Sequence, residues 1–321
     1  MDLTLNTDQR DLRSGLRAYL ADAWDADRLR AAAAAPGFDR DSWRAIAELG
    51  VFSLTLPGDR GGMDLGLADA VIVFEELGRT LVPGPLVATF LAAALVPGAA
   101  EGQTVVTCLD RRDPYLVIEH PHAADQVVTA DDEGLFVQPV SALSVEPAAM
   151  PLDPLTPVGS VPRHAERGRR IGTAADADRW RRTGAILTAA LQVGIGQCAL
   201  DLAVRYAKER VQFARPIGSF QAVKHLLADA LVRVDLARAA VLVAALTADD
   251  PISGDPDEAA ATAKLLADDA ATTNARTGVQ VHGGMGFTWE VLAHLYVKRA
   301  WVLETAFGTA DQYAEHLAAT L

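Results

Sequence analysis

The chain has 321 residues, half of them apolar and only 6% aromatic, and its formal net charge is −13. This length allows two or three domains, and the composition favours helices. The excess of negative charge argues against non-specific binding to DNA or RNA, whose phosphates it repels. The two cysteines, Cys108 and Cys198, lack the spacing of a metal site, which indicates a reduced, cytoplasmic setting.

The first third of the sequence predicts helices. Leu16 and Leu20 belong to a helical rhythm of apolar residues for which Thr7 is available as the N-cap. Two further helical runs follow, and they end at Gly50 and near Gly78. The opening residues lack a signal-peptide pattern.

Two uncharged stretches, residues 81–100 and 183–200, could be mistaken for membrane spans. Prolines interrupt the first, and glycines and polar side chains lower the hydropathy of the second. We therefore expect both stretches to form buried core in a soluble protein.

Near residue 103 the pattern changes to short β-rich pieces: TVVTCL, YLVIEH, DQVVTA, GLFVQPV and LSVEP. Asp, Gly and Pro separate them at regular intervals, which is typical of an antiparallel barrel or sandwich. The segment HAERGRR that follows has the composition of a linker.

The rest of the chain is again helical. Four apolar-periodic runs predict a four-helix bundle at 183–211, 219–248, 257–279 and 289–306. Thr288 is the predicted N-cap of the last run. The predicted fold class is α+β and mostly α, with an N-terminal helical domain (1–102), a small middle β domain (103–165) and a C-terminal four-helix bundle (178–321).

The stretch RYAKERVQFARPIGSFQAVKH, residues 205–225, is rich in basic side chains although the chain as a whole is acidic. Arg210 lies where one predicted helix ends, Phe213 follows it, and Gln221 opens the next helix. An arginine fork beside an aromatic ring and an amide suits a pyrophosphate next to a flat ring. The alternative is that these basic residues only balance helix dipoles and the acidic surface.

That stretch resembles the acyl-CoA dehydrogenase family, as do QVHGGMGFTWEVLAHLYVKRA and LGVFSLTLPGDRGGMDLGLADAVIVFEELGR. The three matches occur in the family's order and together span nearly the whole chain. The resemblance implies an N-terminal helical domain, a β-barrel domain and a C-terminal four-helix bundle. It also implies FAD as the cofactor and a tetramer built in part through the bundle.

The resemblance assigns a set of residues to the adenosine-diphosphate half of a FAD that the neighbouring subunit mainly holds. They are Arg210, Phe213, Gln221, Gln280, Gly283 and Gly284. Paired glycines let a backbone approach phosphates closely, and a glutamine offers both a donor and an acceptor.

The family's catalytic base is a glutamate that removes the substrate α-proton while the β-hydrogen leaves as hydride to the flavin. Aligning Gly308-Thr309 with the family's Gly-Thr pair places Phe307 at the usual base position. The position that a minority of members use falls on Gly184. Neither residue can accept a proton.

Glu304 is the carboxylate nearest in sequence to Phe307, and we expect the two to lie close on one helical face. It is either an adapted base or, as we favour, a surface glutamate that pairs with Arg299 or Lys298.

The middle domain also departs from the family. Of a Glu-Pro-x-x-Gly-Ser-Asp-like segment the chain keeps only Glu146-Pro147, and no tryptophan occurs between Trp43 and Trp180. The resemblance therefore predicts a reduced β domain that lacks the parts needed to run its own flavin.

The favoured interpretation is the non-catalytic subunit of a heteromeric, α2β2-type acyl-CoA dehydrogenase whose partner carries an intact catalytic glutamate. Such complexes act on bulky CoA thioesters such as those of sterol side chains in steroid-degrading bacteria. One alternative is a self-sufficient FAD enzyme that uses Glu304 as a displaced base. Another is a flavin-free scaffold or dehydratase with the same fold. We expect no metal, nucleic-acid or membrane partner.

Overall fold

The computed structural model describes residues 3–35 and 37–320. The predicted boundaries at residues 1 and 321 lie outside these ranges. The fold is α+β and mostly α, as predicted. The described residues form two compact units. A helical unit comprises the chain up to Ala31, Val71–Val82 and the chain from Ile186 onward, and a mixed unit comprises Ala32–Ala70 and Pro83–Ala185.

Ten α-helices are assigned within the described residues. They are α1 (Thr7–Ala23), α2 (Ala26–Ala34), α3 (Arg40–Glu48), α4 (Leu67–Arg79), α5 (Leu86–Ala92), α6 (Ala174–Glu209), α7 (Gln221–Asp249), α8 (Pro256–His282), α9 (Ala293–Glu304) and α10 (Ala310–Thr320). The four bundle runs predicted from the sequence correspond to α6, α7, α8 and α9, whereas α10 was not predicted.

The structure corrects two predicted N-caps. The cap of α1 is Asn6, whose side chain accepts from the backbone N–H of Gln9 in a capping box, so Thr7 is the first helical residue. The cap of α9 is not Thr288. The Thr288 hydroxyl donates to the carbonyl of Met285 and closes a 3-10 turn, and α9 begins later, at Ala293.

Glycines allow α6 to approach two other helices of the helical unit at backbone distance. A Cβ on Gly194 would lie 2.0 Å from the carbonyl oxygen of Glu75 in α4. A Cβ on Gly196 would lie 3.0 Å from the carbonyl oxygen of Ala270 in α8. Any larger residue at Gly194 would force α4 and α6 apart, because close-packed interiors have no room for it.

The most apolar part of α6 explains why the sequence could suggest a membrane span. Within the described residues, α6 is the one helix long and apolar enough to cross a membrane. Of that apolar stretch, 78% is buried inside the protein, which is the pattern of a core helix.

The strands form two sheets and a hairpin. They are β1 (Val106–Asp110), β2 (Val117–Glu119), β3 (Gln126–Ala130), β4 (Leu135–Pro139), β5 (Glu146–Pro147), β6 (Val158–Ser160), β7 (Arg169–Gly172), β8 (Val211–Gln212) and β9 (Arg215–Pro216). The mixed unit holds a sheet of order β1-β3-β4-β7 and a sheet of order β2-β6-β5.

The pairing differs from the predicted antiparallel arrangement at one place. β1 and β3 are parallel neighbours, because β2, which lies between them in the chain, belongs to the other sheet. The predicted linker is also partly wrong, since Arg169–Gly172 pairs with β4 as an edge strand. Nearby, the Arg167 guanidinium pairs with Asp131 at 2.6 Å, so this segment is tied to the sheet on which it lies.

Candidate functional site

Four chain segments meet at one end of the helical unit. Ala203 and Ala207 of α6 form a buried cluster with Val281 of α8, and Ile217 and Val223 pack against it. The hairpin β8–β9 projects from this cluster between α6 and α7. Residues that lie far apart in sequence, around 210 and around 282, are therefore neighbours.

Backbone contacts fix the path of the chain here. The N–H of Ile217 donates to the carbonyl of Arg210 at 2.8 Å. A Cβ on Gly218 would lie 2.9 Å from the carbonyl oxygen of Ala207, so a larger side chain would displace the turn before α7. This turn sets the position at which Gln221 begins α7.

The first half of the predicted site is exposed. Arg210 and Gln221 are exposed, and their side chains form no hydrogen bond or ion pair within residues 3–35 and 37–320. Phe213 is 87% exposed. The N-cap of α7, Phe220, offers no side-chain acceptor, so the first N–H groups of α7 remain available beside Gln221.

The hairpin that presents Phe213 is strained. Phe213 and Ala214 both have positive φ, 52° and 63°, in the two-residue loop between β8 and β9. Such loops favour Asn and Gly, because a Cβ destabilises the left-handed region. The Phe213 ring meets Phe220 edge-on at 6.0 Å, and the Arg215 guanidinium lies 4.1 Å above Phe220. Arg215 therefore braces the hairpin, a role that the sequence did not reveal.

The second half of the predicted site follows α8. Gln280 is exposed, and within the described chain its side chain forms no hydrogen bond. Gly283 has φ 61° and ends the helix, so its backbone conformation accounts for the glycine. A Cβ on Gly284 would meet nothing within 4 Å, and its φ is not in the left-handed region.

Gly284 contrasts with Gly286, where a Cβ would lie 2.7 Å from the carbonyl oxygen of Val279. Packing within the chain explains Gly286, but nothing in the described chain requires a glycine at 284. A group from outside that approaches the backbone closely would require it. The exposed guanidinium, two amides, a ring and a bare backbone turn together suit a phosphate-containing ligand.

Glu304 and Phe307 lie at the end of α9 and in the turn that follows it. α9 ends at Glu304, and Phe307 lies beyond it with φ 56°, held by the Tyr313 hydroxyl, which donates to its carbonyl at 2.5 Å. Glu304 and Phe307 therefore do not share a helical face, contrary to the prediction.

The predicted ion pair of Glu304 is also not formed. In the described part of the chain the Glu304 carboxylate has no ion pair, whereas the Lys298 ammonium lies 4.9 Å from the Trp289 ring centroid. The Arg299 guanidinium contacts the carbonyls of Leu81 and Val82.

Comparisons with known proteins identify the family. "Acyl-CoA dehydrogenase, N-terminal domain" matches residues 6–102, and "Acyl-CoA dehydrogenase, C-terminal domain" matches residues 182–321. The acyl-CoA dehydrogenase IpdE2 of Mycobacterium tuberculosis is 38% identical over 93% of this chain and 92% of its own. The chain belongs to the acyl-CoA dehydrogenase family.

Solved structures of this family agree with the fold. The steroid acyl-CoA dehydrogenase complex Tcur3481-Tcur3483 gives a TM-score of 0.85 at 25% identity, with 98% of both chains covered. The ChsE4-ChsE5 complex from Mycobacterium tuberculosis gives 0.84 at 25% identity, covering 99% of this chain and 98% of that one. The chain thus resembles subunits of heteromeric steroid acyl-CoA dehydrogenases, as predicted, and the predicted cofactor, FAD, is confirmed for this family member.

The two positions at which the family resemblance predicts the base hold residues that accept no proton. Phe307 stands at one, and Gly184, buried in α6, stands at the other. In the middle sheet, Glu146-Pro147 forms the two-residue edge strand β5, and both residues are exposed.

Proposed function

We propose that this chain is the non-catalytic subunit of a heteromeric FAD-dependent acyl-CoA dehydrogenase. It contributes the contacts to the adenosine-diphosphate half of a FAD whose remaining contacts come from a partner subunit. Arg210 and the N–H groups of the turn at Gly283 and Gly284 hold the diphosphate, while Phe213, Gln221 and Gln280 pack against and hydrogen-bond the rest.

The observation that carries this proposal is the bare turn at Gly284 beside unpartnered polar side chains. Exposed arginines in an acidic chain commonly find an intrachain carboxylate, but Arg210 has none within the described residues. No contact within the described chain requires a glycine at position 284. Both features are accounted for by a phosphate group that approaches from outside the chain.

The residues at the two predicted base positions support a division of roles between this chain and its partner. A bound FAD supplies the acceptor for the substrate's β-hydride. Removal of the α-proton needs a carboxylate, and Phe307 and Gly184 provide none. In this proposal the partner supplies the base, and this chain completes the cofactor site.

An exposed apolar face on α7 supports a partner. Leu226, Leu231, Val232 and Leu236 are between 42% and 57% exposed on this helix. Large contiguous apolar patches are uncommon on monomers and mark interfaces. The names of the similar structures each join two different chains, and we extend this to an α2β2-type heterotetramer in the cytoplasm.

The proposed substrate is a bulky CoA thioester such as that of a sterol side chain. The support comes from the similar complexes, one of which is named a steroid acyl-CoA dehydrogenase. The reaction is α,β-desaturation of the thioester.

The test is the flavin content of the assembled complex after Arg210→Ala. Loss of a charge-assisted contact of about 1.5–3 kcal/mol should weaken FAD binding by about 10- to 150-fold, although the partner is unchanged. Arg210→Lys should restore only part of the affinity, because the ammonium keeps the charge and loses the fork.

Arg205→Ala serves as the matched control, since Arg205 is exposed on α6, more than one turn before Arg210, which directly follows that helix. It should leave flavin content unchanged. Full FAD occupancy of the Arg210→Ala complex at low flavin concentration would overturn the proposal, as would a homotetramer of this chain alone with one FAD per subunit.

A further inference from the structure

The helical unit contains a partly open pocket that none of the residues assigned to FAD lines. Its volume is about 260 Å³, which exceeds the roughly 150 Å³ of an engineered cavity that binds benzene. Its walls come from the segment just before α1 and from α1, α4, α6 and α7. The apolar side chains that line it are Leu5, Val71, Ile72, Val193, Val241 and Leu242.

The rim of this pocket carries four charged side chains, of which three form ion pairs with one another and one does not. Arg238 donates to the Glu75 carboxylate at 3.0–3.1 Å and to Asp235 at 2.7 Å, so one guanidinium pairs with both acids of the rim. Arg238, which belongs to α7, also donates to the side-chain oxygen of Gln197 in α6 at 2.6 Å. This contact fixes the position of the Arg238 guanidinium.

Arg13 of α1 is the remaining charge of the rim. It lines the pocket and is partly buried, and it has no hydrogen bond or ion pair within residues 3–35 and 37–320. An unpaired guanidinium beside an apolar cavity is complementary to a carboxylate that carries an apolar tail. The unpaired Arg13 guanidinium would repel an amine placed beside it, and a tailless anion would leave the cavity unfilled.

We infer that this pocket binds an amphipathic carboxylate of medium chain length, with the carboxylate on Arg13 and the alkyl tail among the apolar side chains of α4, α6 and α7. The tail gains from leaving water, by about 0.8 kcal/mol for each buried methylene. The site lies in this chain alone and does not depend on flavin.

The experiment measures octanoate binding to the purified full-length protein in its assembled complex by calorimetry and by thermal shift. Octanoate should raise Tm and bind, octan-1-ol should bind more weakly, and octylamine should not bind. Arg13→Gln should weaken octanoate binding by about 10-fold or more while leaving octan-1-ol unchanged. Arg179→Gln, at an arginine that is exposed and distant in sequence, is the matched control.

Two filling variants test the cavity itself. Ala239→Phe, at an exposed position that lines the pocket, and Val71→Phe, from α4, should each abolish binding of both ligands. Complex size and FAD content are measured for every variant. Octanoate affinity that is the same in wild type, Arg13→Gln and Ala239→Phe would overturn the inference, and so would no binding to an intact complex. Loss of FAD in Arg210→Ala would leave this result untouched, so the two proposals fail separately.

Discussion

The phenol ring of Tyr206 is stacked on the imidazole of His282, with ring centroids 4.4 Å apart and planes inclined by 28°. This contact joins the last turns of α6 and α8, and it therefore joins the two halves of the proposed cofactor site. His282 is buried and its Nδ1 lies 2.7 Å from the carbonyl oxygen of Gly278, so its ring has a fixed orientation. Through this contact Tyr206 and His282 connect the end of α6, just before Arg210, with the turn at Gly283.

Tyr206→Ala should consequently lower FAD affinity of the complex. The stacked pair contributes about 0.5–1.5 kcal/mol, which corresponds to about a 2- to 10-fold change if the geometry of the site depends on it. Tyr206→Phe keeps the stack and should behave as wild type in a flavin titration. If Tyr206→Ala and Tyr206→Phe bind FAD equally, the stack does not align the site.

Ala214→Gly should stabilise the protein. Ala214 has φ 63° in the hairpin loop, where glycine adopts the same backbone without steric cost. The relief exceeds the extra entropy that glycine loses on folding, and we expect a gain of about 0.5–1 kcal/mol. Thermal unfolding should show a Tm higher by about 1–4 °C. Gly218→Ala is the opposite control, because a Cβ there lies against the Ala207 carbonyl and should lower Tm.

The pH dependence of stability includes a contribution from Asp113. Burial, and secondarily the neighbouring charge of Asp110, raises the pKa of Asp113 to about 6, opposed by Arg181. The unfolded-state pKa is 3.8, so between about pH 4 and pH 6 the folded state binds more protons than the unfolded state. Stability therefore falls as pH rises through this window, and the cost is complete at pH 7.

Asp113→Asn removes that cost. The variant should have a higher Tm than wild type at pH 7.5, by about 2–4 °C for each kcal/mol relieved. At pH 4 the two proteins should be equal, because Asp113 is then protonated in the folded state. A Tm difference that does not change between these two pH values would contradict the assignment.

The helices could be predicted from the sequence because their signals are local. The apolar periodicity of α6, α7 and α8 and the glycine after α8 lie within each segment. The start of α9 was missed because Thr288 caps a 3-10 turn with the same residue type that begins an α-helix. The parallel pairing of β1 with β3 could not be predicted, since strand order depends on contacts between distant segments.

In the candidate site, too, the residues could be named from the sequence, but their surroundings could not. Family resemblance named Arg210 and Gly284, but only the space around a Cβ shows that Gly284 has no intrachain role. The surroundings of Glu304 depend on Lys264, a residue forty positions earlier in the chain, and no spacing rule connects the two.

Lys264 is completely buried, and its ammonium donates to both carboxylate oxygens of Asp268 at 2.8 Å. It also donates to the carbonyls of Leu303 and Glu304, at 3.2 and 3.3 Å, which end α9. Gln192 of α6 donates to the same carboxylate. Burial lowers the pKa of Lys264 and raises that of Asp268, while their mutual attraction opposes both changes.

Lys264→Met should destabilise the protein by about 3–5 kcal/mol, because it leaves Asp268 charged and buried without its partner. The double variant Lys264→Met/Asp268→Leu removes the unpaired charge and should recover much of that loss in denaturant unfolding. Equal stabilities of the single and double variants would show that the pair does not exist as an ion pair in the folded protein.

Glu304→Gln tests whether this chain supplies the base. The Glu304 carbonyl accepts from Lys264, but within the described residues the Glu304 carboxylate forms no hydrogen bond or ion pair that would orient it for proton removal. We expect turnover of the assembled complex within a few-fold of wild type, whereas loss of a general base costs about 100-fold or more.

Glu315→Gln, on the exposed surface of α10, is the matched control. The rate of acyl-CoA oxidation per bound FAD is the measurement, because it separates chemistry from flavin loss. A 100-fold fall in this rate for Glu304→Gln, with Glu315→Gln unchanged, would make this chain the catalytic subunit with a displaced base.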